Sequence, residues 1–124
     1  MSRSIRLGVV LIFVSIAGCS GSDTPALDPQ ARAAKLVPAD PKLAETYRQS
    51  CRPCHASGLN AAPLAGNRRD WNLRLEKGVT RMRQSVIKGT PNMPAGGGCP
   101  QCTPQELTAL IQFLAGRGAG VVEP

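Results

Sequence analysis

The chain has 124 residues, 15 basic against 8 acidic side chains for a formal charge of +7, five cysteines, one histidine and an aromatic content of 3%. That length fits one small domain, and so few large apolar side chains cannot build a sizeable core unaided. A lone histidine and carboxylates scattered without a pairing pattern leave little for acid–base catalysis, which draws on those groups.

Residues 1–18 read as an export leader. Arg3 and Arg6 precede an apolar run from Leu7 to Ala17 that ends in small residues. A basic head, a short apolar run and a small-residue exit is the layout of a secretory signal, and a spanning helix needs ~20 apolar residues. The exit, Ile16-Ala17-Gly18-Cys19, resembles a bacterial lipoprotein signal. The resemblance implies cleavage before Cys19 and attachment of lipid to its thiol; the alternative is an ordinary leader with an incidental cysteine. Ser20 stands where an aspartate would favour inner-membrane retention, so the expected placement is the outer membrane, facing the periplasm. An exported chain meets an oxidising compartment, which favours disulfides over free thiols. Removing Arg3 and Arg6 from the 15 basic side chains leaves 13 against 8 acidic ones, about +5.

Residues 19–39 carry Pro25, Pro29 and Pro38 among small polar residues and read as the lipidated N-terminus and a tether, with a helical turn at Ala31–Leu36. As a flexible coil this stretch would reach roughly 25 Å. Residues 40–116 form the expected domain, with four helical patterns and no strand signal, and residues 117–124 form a tail. Asp40-Pro41 is a helix start, a side-chain cap followed by proline, with Leu43, Tyr47 and Cys51 on one face behind it. Asn67 caps a second helix through Trp71 and Leu75 that stops at Gly78. A third aligns Met82 with Val86 and ends at Gly89. Thr103-Pro104-Gln105-Glu106 is a capping box opening a fourth, whose stripe of Leu107, Leu110, Ile111 and Leu114 stops at Gly116.

Domains this small need a staple, such as a metal, disulfides or a bound group. Cys51, Cys54 and His55 spell C-x-x-C-H, the attachment sequence for c-type haem. Two thioether bonds would fix one edge of the macrocycle and the adjacent histidine would reach the iron. Three rivals exist. A four-cysteine zinc ribbon would join Cys51 and Cys54 to Cys99 and Cys102, yet ribbons space their pairs ~15–20 residues apart. Here 44 residues intervene, and His55 would have no task. A thioredoxin-like pair wants a βαβ setting, which is missing. A plain disulfide beside a histidine leaves the thin core unexplained. With His55 on one face of the iron, no second histidine exists in the chain for the other. Met82 sits in an amphipathic helix, as core methionines do. Met93 lies between Pro91 and Pro94 in a loop that can hold a thioether at a fixed point, and is the candidate second ligand. The alternative is a surface methionine and an open iron.

Residues 40–116 resemble a class I c-type cytochrome, and within that class its cytochrome c5-like branch. The resemblance rests on Ser50–Gly58, the Ala62–Gly66 turn, Trp71, Gly78, Gly89, Asn92-Met93-Pro94 with Gly96–Gly98, and a C-x-x-C before the last helix. It implies an all-α fold of about four helices around one covalently attached haem c, with His55 and Met93 as axial ligands. It further implies that the carbonyl of Pro63 fixes the imidazole and that Cys99 and Cys102 form a disulfide. One departure is that relatives carry leucine two positions after that proline, whereas this chain has Leu64 then Ala65.

The expected function is therefore single-electron transfer between redox proteins by an electron carrier with no catalytic residues, no small-molecule substrate and no nucleic-acid partner. A haem sensor or peroxidase-like enzyme with a labile sixth position is the alternative. Arg68, Arg69, Arg74, Lys77, Arg81, Arg83 and Lys88 stand against Asp70 and Glu76 in residues 68–88, a basic face suited to an acidic redox partner or to anionic headgroups.

Overall fold

A computed structural model describes residues 28–124. Six α-helices and two short strands follow one another: α1 Pro29–Lys35, β1 Leu36–Pro38, α2 Pro41–Thr46, α3 Arg52–His55, α4 Arg68–Leu75, α5 Val79–Lys88, α6 Pro104–Leu114 and β2 Gly120–Val122. The anticipated starts are realised. Asp40 accepts from the Leu43 N–H, Asn67 from the Arg69 N–H, and Thr103 and Glu106 complete a reciprocal capping box. Each side chain satisfies a backbone donor that the first helical turn leaves open.

The stripe predicted for α6 is the spine of the core. Leu107, Leu110, Ile111, Phe113 and Leu114 are all buried, together with Tyr47, Trp71 and Met82. Phe113 meets Tyr47 edge to face at 5.0 Å between ring centroids, a favoured aromatic geometry.

Between α2 and α3 the helix widens into a single π-helical turn, Tyr47–Cys51, in which the Arg52 N–H reaches back to the Tyr47 carbonyl. Such turns insert one extra residue into the helical register and concentrate at functional sites. Here the wide turn ends at Cys51.

The folded unit extends beyond residues 40–116 at both ends. Residues 29–38, expected to be tether, form α1 and β1, and Ala33, Leu36 and Val37 are buried. Asp28-Pro29 is the same cap-and-proline signal as Asp40-Pro41, and Asp28 accepts from the Gln30 and Ala31 N–H groups. Residues 117–124, expected to be a tail, contain β2, which pairs antiparallel with β1 in the register Leu36 to Val122, Val37 to Val121 and Pro38 to Gly120. Glu123, just beyond, pairs with Arg48 and Arg52. Strands of three residues leave no alternation to detect, so both were invisible in the sequence. Cys19 and the leader lie outside the described residues.

Candidate functional site

The helices enclose a cavity of about 420 Å³ whose wall includes Cys51, Cys54, His55, Pro63, Trp71, Met82, Met93, Ile111 and Leu114. All four residues expected to hold the cofactor therefore meet in one place, although 37 intervening residues separate His55 from Met93 in the chain.

His55 ends α3 and is 6% exposed. Its Nδ1 lies 2.7 Å from the Pro63 carbonyl oxygen. A carbonyl only accepts, so Nδ1 carries the proton and donates it. The other nitrogen, Nε2, keeps its lone pair and makes no hydrogen bond among the described residues. This is how metal-binding histidines are held, with one nitrogen tied to an acceptor and the other left to coordinate. Burial lowers the imidazole pKa, partly offset by the Pro63 carbonyl, with Arg74 lowering it further. The ring stays neutral, as a ligand must be.

The Pro63 carbonyl is itself positioned. The next residue donates its N–H to Asp70 at 3.0 Å and accepts the indole N–H of Trp71 at 2.8 Å through its carbonyl. Ala65 donates back to the His55 carbonyl at 2.8 Å. The first turn of α4 thus clamps the loop 63–65, and the Trp71 ring lies 5.7 Å from the imidazole. Ala65, the departure noted in the sequence, is 1% exposed, so a tightly covered position takes the place of a larger side chain.

Met93 belongs to a tight loop between α5 and α6. Thr90 and Met93 exchange backbone hydrogen bonds of 2.9 and 3.1 Å across Pro91-Asn92. Its methyl group lies against Gly97, where an added Cβ would come within 2.9 Å of it, and Gly97 has φ +63°. Glycine is needed here on two counts, backbone conformation and space. Met82 also lines the cavity but is fixed in α5 at 9% exposure as part of the core.

Cys99 and Cys102 are disulfide-bonded, with Cα atoms 5.4 Å apart. Oxidised sulfurs cannot serve as thiolate ligands, so the shared zinc site has no basis. Among the described residues no cluster of three or more metal-binding side chains exists. Cys51 and Cys54 are the free cysteines there. Burial, with Cys54 adding to it, pushes the Cys51 thiol up to about 11. A thiol that stays protonated at neutral pH is poorly suited to disulfide exchange.

The cavity fits a haem on its own chemistry. Its volume is in the range of organic-cofactor sites, its wall is mostly apolar, and two unpaired thiols, a neutral imidazole and a thioether line it. Among the described residues, the charged side chains on the wall are Arg74, Lys77 and Arg81, with no carboxylate. Three cations suit a macrocycle that carries two carboxylates.

Comparison with known proteins agrees. Residues 38–114 match the family model described as Cytochrome C oxidase, cbb3-type, subunit III. Cytochrome c-555 of Chlorobaculum thiosulfatiphilum is 33% identical over 76 residues, which are 58% of this chain and 88% of that protein. Cytochrome c5 of Ectopseudomonas mendocina is 32% identical over 68 residues, 53% of this chain and 78% of that one. A chain in the crystal structure of an electron transfer complex of nitrite reductase with cytochrome c superposes with a TM-score of 0.56 at 34% identity, covering 63% of this chain and 98% of its own. Over residues 38–114, then, this chain belongs to that cytochrome family, as a class I, cytochrome c5-like member whose cofactor is covalently attached haem c.

Proposed function

We propose that the chain is a mono-haem electron carrier, with Cys51 and Cys54 forming the two thioether links and His55 and Met93 binding the iron. The bound haem supplies a one-electron redox couple, and histidine–methionine ligation raises its potential relative to harder donors. The observation that carries this reading is His55, whose Nδ1–H is committed to the Pro63 carbonyl while Nε2 is left without a partner in the cavity that Met93 also lines.

The protein's own groups then have simple tasks. Pro63 holds the imidazole plane and its tautomer. Gly97 and the Thr90–Met93 turn hold the thioether in place, so His55 and Met93 would together hold the iron and leave a substrate no access to it. A site closed in this way exchanges electrons without exchanging ligands, which suits a carrier better than a catalyst. Redox proteins are the partners. Arg74, Lys77 and Arg81 at the cavity favour an acidic one, whose encounter would be salt-sensitive.

The chain reaches the periplasm as a lipoprotein held at the outer membrane through Cys19. Support comes from the leader layout, a basic head and a short apolar run that leads to Cys19. Tethering keeps the carrier concentrated near its neighbours. Intact mass of the purified protein should show a chain starting at Cys19 with added acyl groups; an unmodified N-terminus removes the anchor from this account.

Carbon monoxide tests the ligand set. The reduced wild type should not bind it, whereas Met93→Ala should bind it and show a lower reduction potential. An unchanged spectrum and potential in Met93→Ala would refute the assignment. Ready binding by the wild type would favour the haem sensor or peroxidase-like reading instead.

A further inference from the structure

The basic stretch 68–88 does not form one face. Arg74, Lys77 and Arg81 line the haem cavity. Arg68 and Arg69 instead line a second cleft of about 300 Å³, together with Arg32 from α1 and the Gly66-Asn67 backbone. The two clefts share no lining residue.

Three features make the second cleft more than a solvated surface. Its charged lining is entirely cationic, with no carboxylate. None of its three guanidinium groups takes part in the ion pairs found among the described residues, so all three are available to an anion. Arg68 and Arg69 also occupy the first turn of α4. The helix dipole disfavours cations at that end and favours anions. Asp70 in the same turn accepts from the Leu64 N–H, so Arg68 and Arg69 are left where a bound anion would relieve them, with Arg32 reaching the same cleft from α1.

The chain outside the described residues says which anion. Eight residues, nine Cα-to-Cα steps, connect Cys19 to Asp28, and however they run they span at most about 32 Å. Pro29 and Arg32, on the rim of the cleft, follow directly. If Cys19 carries lipid, this cleft is the first built feature of the domain next to the membrane. We infer that Arg32, Arg68 and Arg69 form a docking site for the phosphate of anionic phospholipid headgroups. The contact orients the domain so that the separate haem cavity, with Arg74, Lys77 and Arg81, remains available to redox partners. The inference rests on the lipoprotein reading for its proximity argument, but its test does not use the lipid.

The test takes the haem-loaded mature chain, residues 19–124 with Cys19→Ser, exported behind a leader that is cleaved so that no acyl chain is present. Co-sedimentation is measured with vesicles of phosphatidylcholine alone and of phosphatidylcholine with phosphatidylglycerol, at moderate salt. Binding should require phosphatidylglycerol. The triple variant Arg32→Gln, Arg68→Gln, Arg69→Gln should lose at least about tenfold in partitioning, since each basic side chain at an anionic surface carries a substantial share of the binding. The triple variant Lys42→Gln, Arg83→Gln, Lys88→Gln, at residues that line neither cleft and with the same loss of charge, should change partitioning less than about twofold on the same basis. Absorption spectra confirm that both variants keep their haem. Equal losses in the two variants would mean that net charge alone governs binding, and absence of binding would remove the site; either overturns the proposal. The intact mass at Cys19 reports separately on the anchor, so failure of one reading is distinguishable from failure of the other.

Discussion

At the scale of single residues, the site depends on what each side chain is prevented from doing. His55 cannot choose its tautomer because the Pro63 carbonyl accepts only from Nδ1. Met93 cannot swing toward solvent freely because Gly97 admits its methyl group where any Cβ would collide at 2.9 Å. Gly97→Ala therefore tests the ligand loop without touching the ligand. A left-handed conformation costs a non-glycine residue ~1–2 kcal/mol, so the free energy of unfolding should fall by that amount or more, read by denaturant titration. The displaced thioether should also leave the reduced protein open to carbon monoxide. A stable variant with wild-type spectrum and no carbon monoxide binding would show that the contact does not hold Met93. Trp71 was legible as a landmark of the resemblance, but not its part in fixing the loop beside His55. A hydrogen bond from an indole to a backbone carbonyl leaves no mark in composition or spacing.

Elements follow their end signals closely. Asp40, Asn67 and Thr103 each cap the helix they announce, because the first turn always leaves donors to be satisfied. Thr103→Ala should cost ~1 kcal/mol, within the range for lost N-caps, with haem attachment unaffected; denaturant titration measures it. Glu106 in the same box adds a pH dependence. The Lys42 ammonium 2.7 Å away, and then the Thr103 N–H and hydroxyl, hold its carboxyl down from 4.5 to about 2. A carboxyl depressed by folding stabilises fully above its unfolded value and loses that contribution as pH falls through the folded one. The wild type should thus lose stability between pH 4.5 and about 2, and Glu106→Gln should flatten that slope. Thermal midpoints across this window check the sign. The π-helical turn at Tyr47–Cys51 is a helical feature that end signals did not announce. Its residues are ordinary helix residues, and only packing around the attachment segment selects the wider turn.

For the whole molecule, the ends of the described chain do more than expected. β1 and β2 pair across the domain, and Glu123 joins Arg48 within the π-helical turn and Arg52 within the attachment segment. Arg52 also donates to the Ala34 carbonyl at 2.8 Å, so both termini converge on the segment that carries Cys51 and Cys54. Gly120 passes so close to the Phe113 ring that an added Cβ would lie 2.8 Å from it. Deleting residues 119–124 should uncover Val37 and part of Phe113 and destabilise the protein by ~2–3 kcal/mol, the worth of a newly exposed large apolar side chain. The optical spectrum should be unchanged, because none of the deleted residues lines the haem cavity. A truncated protein as stable as the parent would mean that the terminal strands are ornamental.

Sequence alone determined the chemistry of attachment and the main helices. C-x-x-C-H brings two thiols and an imidazole together within five consecutive positions, and capping and apolar periodicity act within one or two turns, so both are local and readable. By count it also ruled out a second histidine ligand within the chain, which left Met93 as the proposed one. Only the tertiary structure decided how far the fold extends, how α4 clamps the loop beside His55, what packs against Met93, and that Arg68 and Arg69 line one cleft while Arg74 and Arg81 line another. Those are meetings between segments distant along the chain. They depend on which faces the collapsed core brings together, and no local pattern encodes that choice.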